Sequence, residues 1–386
     1  MYNKITYILC SLIITAVLFT SCVNKGGGEF DKTAEVDFIY SEFLNVYPSE
    51  DYTAISIVNP WDTSKILQKY ILVDRNEPLP ESLPDGTVIP VPVEKIIVYS
   101  SVHISILEEL GVDDRIVGVC DLPYITSPKI KEKAAAGKVI DCGNSMNPNV
   151  ERIAESGGEI IIASPFENSS YGAVEKLKIP ILEAADYTET YPLGRCEWIK
   201  LFGYILDCEE KADSLFRVTE RRYNELKDKV AGQLEASGAE RPTLLVERKY
   251  SNSWSLPGGN SYTGIMYKDA GADYIFDGLD SKGNVQKSFE TILQKGIHAD
   301  YWLFKYSMDR TMTYDDLRNE YLLYENFDAF KNHRIYGCNT LENSYYEDIT
   351  LHPDRILEDL VSIFHPEILP GHEPEYFRPL QISRKQ

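Results

Sequence analysis

The sequence predicts an α/β protein of two lobes, each built on a mainly parallel sheet flanked by helices, with one long α-helix spanning the pair. Three observations predict it. From position 93 onward, short apolar runs alternate with amphipathic helical stretches, which is how a parallel sheet with crossover helices reads. The alternation comes in two series, 93–208 and 237–386. Between them lies an amphipathic stretch, 209–236, with no proline and a single glycine, Gly232, near its end. A chain of 386 residues is long enough for two such lobes.

Residues 1–21 read as an export signal. Lys4 supplies the positive start, and positions 8–19 form an almost unbroken apolar run that is too short to span a bilayer comfortably. The run ends in Leu18-Phe19-Thr20-Ser21-Cys22, and Lys25-Gly26-Gly27-Gly28 comes next as a flexible polar tether. This junction resembles the lipobox of bacterial lipoproteins, in which the cysteine is lipidated and becomes the first residue. It implies lipidation at Cys22 and a place in the bacterial cell envelope, lipid-anchored and facing the periplasm. Residues 22–92 complete the tether and then turn strand-rich. Ala54-Ile55-Ser56-Ile57-Val58 and Tyr70-Ile71-Leu72-Val73 are the clearest runs, and Pro78, Pro80, Pro84 and Asp85-Gly86 punctuate the stretch after them.

The first βα series opens with the buried-strand run Ile96-Ile97-Val98-Tyr99. A helix comes next with Ile104, Leu107 and Leu110 on one face and Gly111 as its stop. Short strands are expected at 116–119, 138–140, 160–163 and 179–182. The second series has strands at 243–246, 274–276, 301–304 and 334–336, a helix at 262–270, and a last helix at 353–364 with Pro353 in its first turn. In the connecting stretch Ala212, Leu215, Phe216, Tyr223, Leu226, Val230 and Leu234 recur at three and four residues, and Glu225 faces Lys229 at i,i+4. As one helix it would be about 40 Å long, enough to cross two lobes.

Composition narrows the function. A formal net charge of -21 argues against nucleic acid as a partner, because phosphates would be repelled. The mature chain keeps Cys120, Cys142, Cys196, Cys208 and Cys338, an odd set without CxxC spacing, so no disulfide framework is expected. Cys196 and Cys208, read as lying along one helix, would be roughly 18 Å apart and unable to pair. A Cys120–Cys142 bridge stays open. The excess of tyrosine, 26 against 14 Phe, fits either a cleft of amphipathic side chains or sheets that simply favour Tyr. No G-x-S-x-G elbow, phosphate loop or HExxH is present. The loop Pro257-Gly258-Gly259-Asn260-Ser261 reads as a helix cap, so a hydrolase on a two-lobed scaffold is the weaker reading.

Open parallel sheets place ligands beyond the C-terminal ends of their strands. In the first lobe that rule selects Ser101, His103, Asp121, Tyr124, Asn144, Met146, Phe166 and Tyr171; in the second it selects Arg248, Tyr250, Trp254, Lys305 and Tyr345. Arg248 and Lys305 would meet an anionic group, and Trp254, Phe166 and the tyrosines would pack on a flat or greasy one. Of six histidines only His103 falls in this set, so no protein metal site is expected.

Four segments carry a family resemblance. They are Ile96-Ile97-Val98-Tyr99-Ser100-Ser101 with its helix and Arg115-Ile116-Val117-Gly118-Val119; Asn149-Val150-Glu151-Arg152-Ile153 leading to Glu159-Ile160-Ile161-Ile162-Ala163; Pro192-Leu193-Gly194-Arg195-Cys196-Glu197-Trp198-Ile199-Lys200; and Ser288-Phe289-Glu290-Thr291-Ile292-Leu293. In this order, around one long helix, the chain resembles the substrate-binding proteins of ABC importers for iron complexes and vitamin B12. Ser156-Gly157-Gly158-Glu159 departs from that family's usual Lys-Pro-Asp before the strand. The resemblance implies a lipid-anchored protein that captures a ferric siderophore or haem between its lobes and delivers it to the permease, with cobalamin as the alternative cargo. Haem would call for an axial Tyr or His, a part open to Tyr124, Tyr171 or His103. No resident cofactor is implied, since the chelate is cargo. Glu151 and Glu290 match the two glutamates that meet arginines on the permease, although both also sit where a carboxylate favours a helix N-terminus.

Overall fold

The computed structural model describes residues 36, 38–168 and 170–382. Cys22, the signal 1–21 and most of the tether lie outside the described residues.

Strands β1 (Leu44–Pro48), β2 (Thr53–Val58), β3 (Ile66–Asp74) and β4 (Thr87–Val91) form a sheet in that order, antiparallel except for the parallel β3–β4 pair. One face of it supplies Val46, Ile55, Ile57, Tyr70 and Leu72 to the core of the first lobe. The Tyr70 hydroxyl donates to the Ile181 carbonyl at 2.8 Å, pinning the sheet to that lobe.

The first lobe is built on five strands, β5 (Ile96–Val98), β6 (Ile116–Val119), β7 (Ile140–Asp141), β10 (Ile160–Ala163) and β11 (Ile181–Glu183). They form an all-parallel sheet of order β11-β10-β5-β6-β7. A small hairpin, β8 (Gly143–Asn144) with β9 (Asn147–Pro148), sits at its edge. Every residue of β5 and β10 is buried, as continuous Ile/Val runs covered by helices on both faces should be. The covering helices include α1 (Ser101–Glu109), α2 (Pro128–Ala135) and α3 (Val150–Ser156).

In the second lobe, strands β12 (Thr243–Val246), β15 (Asp273–Tyr274), β17 (Tyr301–Tyr306) and β18 (Ile335–Asn339) run parallel, and β19 (Phe377–Pro379) is antiparallel to β18. Their order is β15-β12-β17-β18-β19. A three-stranded antiparallel sheet, β13 (Lys249–Tyr250), β14 (Ser253–Pro257) and β16 (Asn284–Lys287), lies beside it.

The crossing from one lobe to the other is made by α4 (Pro192–Glu197), α5 (Ile199–Leu206) and α6 (Glu209–Ser237). Helix α6 is 29 residues of unbroken α-helix, about 43 Å long. It starts after Asp207 and stops at Gly238, both in the left-handed region. Its N-terminal part gives Ala212 and Phe216 to the first core, and its C-terminal part gives Tyr223, Leu226 and Val230 to the second. The two cores are therefore separate clusters joined by one rod. The break at Asp207 also corrects the expectation that Cys196 and Cys208 share a helix: Cys196 lies in α4 and Cys208 caps α6. Cys120 and Cys142 are both free and buried.

A second joint lies beside the rod. The Glu197 carboxylate, fully buried, accepts from the backbone N–H groups of Ile39, Tyr40 and Ser41 at 3.1, 2.9 and 3.0 Å, and from Lys200 Nζ at 2.8 Å. This strap places Tyr40 against both cores, stacked on Tyr191 with ring centroids 5.6 Å apart and hydrogen-bonded to Glu220 and Asn224 of α6. Gly194 is required there, since a Cβ would come within 2.8 Å of the Tyr40 carbonyl oxygen.

Along the second lobe run α7 (Tyr262–Asp269), α8 (Phe289–Gly296), α9 (Tyr314–Glu320), α10 (Asp328–Lys331), α11 (Tyr345–Leu351) and α12 (Pro353–Phe364). Helix α11 packs across the lobe boundary on α1. Thr126 donates to Glu347 at 3.0 Å, and His352 Nε2 lies 3.2 Å from Glu109.

Glu197→Ala removes one acceptor from three backbone donors and leaves Lys200 without its buried partner. A loss of about 3–5 kcal/mol in denaturant unfolding is expected, with Glu197→Gln losing less; an alanine variant as stable as wild type would contradict the strap's role.

Candidate functional site

Two cavities lie at the C-terminal ends of the parallel strands, one in each lobe. They flank the α1–α11 contact: Ser101, the first residue of α1, lines one, and Tyr346, in the first turn of α11, lines the other.

The first cavity, about 390 Å³, is walled by side chains that come after β5, β6 and β10: Tyr99 and Ser101, Asp121 and Tyr124, Phe166 and Tyr171, with Met146 from the β8–β9 turn. Its large apolar groups stay half or more exposed. Tyr124 is 79% exposed, Met146 70% and Phe166 50%. Asp121 adopts φ 54° and turns its carboxylate back on the hairpin, taking Asn144 Nδ2 at 2.9 Å and the Ser145 hydroxyl. The Tyr171 hydroxyl donates to Glu183 at 3.1 Å; burial and that carboxylate push the phenol well above its ordinary value. Tyr99 is buried at the floor, and its hydroxyl has no hydrogen-bond partner among the described residues.

The second cavity, about 380 Å³, is more polar. It collects Glu247, Arg248, Lys249 and Lys305 around Tyr250, Tyr262 and Tyr346. The cations are already engaged. Arg248 pairs with Glu320, Lys305 pairs with Glu247, and the Lys249 ammonium lies 4.7 Å from the Tyr321 ring centre. Burial alone would lower the Lys305 pKa, but the Glu247 carboxylate outweighs it and holds the ammonium charged. Tyr250, at 85% exposure, is the apolar counterpart of Tyr124.

Of the residues selected from strand ends, Ser101, Asp121, Tyr124, Met146, Phe166 and Tyr171 meet in the first cavity, and Arg248, Tyr250 and Lys305 in the second. Asn144 is exposed beside the first, tied to Asp121 and accepting from the Met146 N–H at 3.0 Å.

Three expectations are corrected. His103 is buried on the inner face of α1, with Nε2 3.1 Å from Asp186, which in turn meets Arg195 at 3.3 Å. Burial would raise the Asp186 pKa, but His103 and Arg195 together hold it below the ordinary range. Trp254 is fully buried, donates from Nε1 to the Val246 carbonyl at 2.9 Å and stacks on Trp302. Tyr345 packs edge-on to Tyr376 and Phe377, and its neighbour Tyr346 lines the cavity instead. One residue along a helix turns a side chain by about 100°, so a one-place error buries the wrong tyrosine. Tyr99, Glu247 and Tyr262 line the cavities although the strand-end rule did not select them; only Tyr99 and Glu247 carried a signal, since each abuts a strand end.

Glu151 and Glu290 are both exposed in the first turns of α3 and α8, capped by Asn149 and Ser288. Its own backbone N–H, then Ser288, then Lys249 hold the Glu290 carboxyl below its usual value. Helix α3 comes after the turn that carries Met146, and α8 comes after the strand whose Asn284 lines the second cavity. Among the described residues no group of three or more His, Cys, Asp or Glu side chains converges to hold a metal ion.

The periplasmic binding protein family model matches residues 96–340. An uncharacterized lipoprotein of Methanocaldococcus jannaschii is 30% identical over 354 residues, covering 85% of this chain and 82% of its own. The petrobactin-binding protein of Bacillus subtilis is 28% identical over 130 residues, 33% of this chain and 39% of its own. Among solved structures, the periplasmic heme binding protein from Pseudomonas aeruginosa aligns with a TM-score of 0.56 at 14% identity, covering 76% of this chain and 100% of that one. The siderophore binding protein FhuD from Vibrio cholerae, bound to Fe3+-Desferal, aligns with a TM-score of 0.53 at 18% identity, covering 70% and 99%. At these identities the solved structures establish the fold, in agreement with the two-lobed class.

Unfolding free energies should separate surface from scaffold. Tyr124→Ala, Met146→Ala and Tyr250→Ala are expected to stay within about 0.5 kcal/mol of wild type, whereas Trp254→Ala and Tyr345→Ala should lose about 3–5 kcal/mol. A Trp254→Ala variant as stable as wild type would return that residue to the cleft.

Proposed function

The chain belongs to the periplasmic binding protein family, and from that premise we propose that it is the lipid-anchored substrate-binding component of an ABC importer. It captures a chelated iron complex, a ferric siderophore or haem, between its lobes and hands it to the permease. The observation that carries this reading is the set Tyr124, Met146, Phe166 and Tyr250, four large side chains that stay half or more exposed at the strand ends of both lobes. A water-filled cleft that exposes such surface gains by covering it with a bulky, largely apolar ligand. Solved relatives that bind Fe3+-Desferal and heme share the fold, and the B. subtilis relative is a petrobactin-binding protein.

Charge leaves the cargo open. Arg248 and Lys305 are paired with Glu320 and Glu247, whereas Lys249 lies over the Tyr321 ring and can meet an anionic group of the ligand. Cobalamin remains the second reading, on the same exposed apolar surface. Lipidation at Cys22 would hold the protein at the membrane; relatives of comparable length are named as lipoproteins.

Glu151 and Glu290 serve as the docking pair in this reading. Two exposed carboxylates fixed at helix starts, one per lobe, can orient the protein against two basic pockets while burying little apolar surface. Glu151→Ala with Glu290→Ala is expected to abolish uptake and leave ligand affinity intact; lost affinity would refute the docking assignment. Absorbance titration of the purified protein with ferric desferrioxamine, haemin and cyanocobalamin tests the cargo. Saturable binding of at least one is expected, and binding of none would overturn the iron-complex and cobalamin readings together.

A further inference from the structure

Asp121 lines the first cavity, yet its carboxylate is committed to the protein. Oδ1 accepts from Asn144 Nδ2 at 2.9 Å, and Oδ2 accepts from the Ser145 N–H at 3.3 Å and from the Ser145 hydroxyl. The backbone of the same residue works in the same direction: its N–H donates to the Gly143 carbonyl at 2.7 Å, and its own carbonyl accepts from Tyr124 at 2.8 Å. One residue thus holds the turn that carries Tyr124 and the hairpin that carries Met146. It does so from φ 54°, a conformation that a side-chain-bearing residue seldom adopts unless its surroundings enforce it.

The hairpin leads onward. Met146 is shared between the cavity and an adjoining apolar groove of about 380 Å³ that Val150 of α3 also lines. The Asn149 N–H donates to the Cys142 carbonyl at 2.8 Å, and the Asn149 side chain caps α3, whose second residue is Glu151. Cavity wall and docking carboxylate are thus a few residues apart on one short segment that the Asp121 carboxylate fastens from the sheet side.

We propose that Asp121 is a positioning residue: it sets the 143–149 segment so that Met146 meets the ligand and Glu151 is presented for docking, and filling the cavity further orders that segment. The roles given to Met146 and Glu151, and the ordering by ligand, rest on the proposed function; that Asp121 fastens the 143–149 segment does not.

Hydrogen exchange on the full chain separates the two. Asp121→Gly removes the carboxylate while keeping the left-handed backbone free of steric strain, and Asp121→Asn keeps one acceptor oxygen and tolerates the conformation. Without ligand, exchange over 143–149 is expected to be faster by about tenfold in the glycine variant and by less in the asparagine variant, which keeps one of the two acceptor oxygens, with the rest of the chain unchanged. Unchanged exchange over 143–149 in the glycine variant overturns the proposal. With ferric desferrioxamine, haemin or cyanocobalamin bound, wild type should gain protection over 143–152, and the glycine variant should bind about tenfold more weakly without that gain; equal affinity and equal protection would overturn the coupling. If wild type binds none of the three but the ligand-free contrast appears, the positioning role stands and the cargo assignment falls.

Discussion

Everything else in the molecule depends on the division of α6 between two hydrophobic cores. Ala212 and Phe216 are inseparable from the first cluster, and Tyr223, Leu226 and Val230 from the second. A helix whose two halves are each buried in a different lobe cannot bend at its middle without uncovering apolar surface at one end or the other. The strap through Tyr40 and Glu197 and the α1–α11 contact brace the same junction. The lobes are therefore held at a set separation, and the strand ends between them stay open to water.

That separation gives the exposed apolar side chains their meaning. Tyr124, Met146 and Phe166 stand on turns that leave a buried parallel sheet, and Tyr250 stands on the small antiparallel sheet beside the other. None covers a core. Most of their charged neighbours are paired within the protein, Asp121 with the hairpin, Glu247 with Lys305 and Glu320 with Arg248, while Lys249 lies over the Tyr321 ring. Asp121 and Glu247 lie just past interior strands, β6 and β12, and both are left-handed. Each lobe thus ends one strand on an acidic residue turned back into its own frame. What the cleft offers a ligand is mostly shape and apolar area.

The parts legible in the sequence were those fixed by local periodicity. The strands at Ile96–Val98 and Ile160–Ala163 and the rod at Glu209–Ser237 could be read because continuous apolar runs and three-and-four spacing are imposed by burial alone. The strands expected at 138–140 and 274–276 are only two residues long, Ile140–Asp141 and Asp273–Tyr274, and slip by one or two positions because their bounds are set by their neighbours in the sheet. So is the pairing of β1 and β4 around the clearer β2 and β3. In the site, the strand-end rule selected Asp121, Tyr124 and Phe166, and all three line the first cavity. It failed for His103, Trp254 and Tyr345, where the direction of a side chain decides between cleft and core. A buried Asp186 captures His103, and an aromatic stack captures Trp254. Those partners lie 83 residues away in one case and on a strand of the other sheet of the lobe in the second, beyond what spacing can reveal.

The central claim, that a rod anchored in two cores fixes the lobes around an open cleft, is tested most directly by small-angle scattering of the full chain, ligand-free and at ligand saturation verified by absorbance. The radius of gyration is expected to change by no more than about 1 Å, the range of pre-organised binding. A contraction of several ångströms would mean that the lobes swing closed on a hinge, and the rod does not hold them.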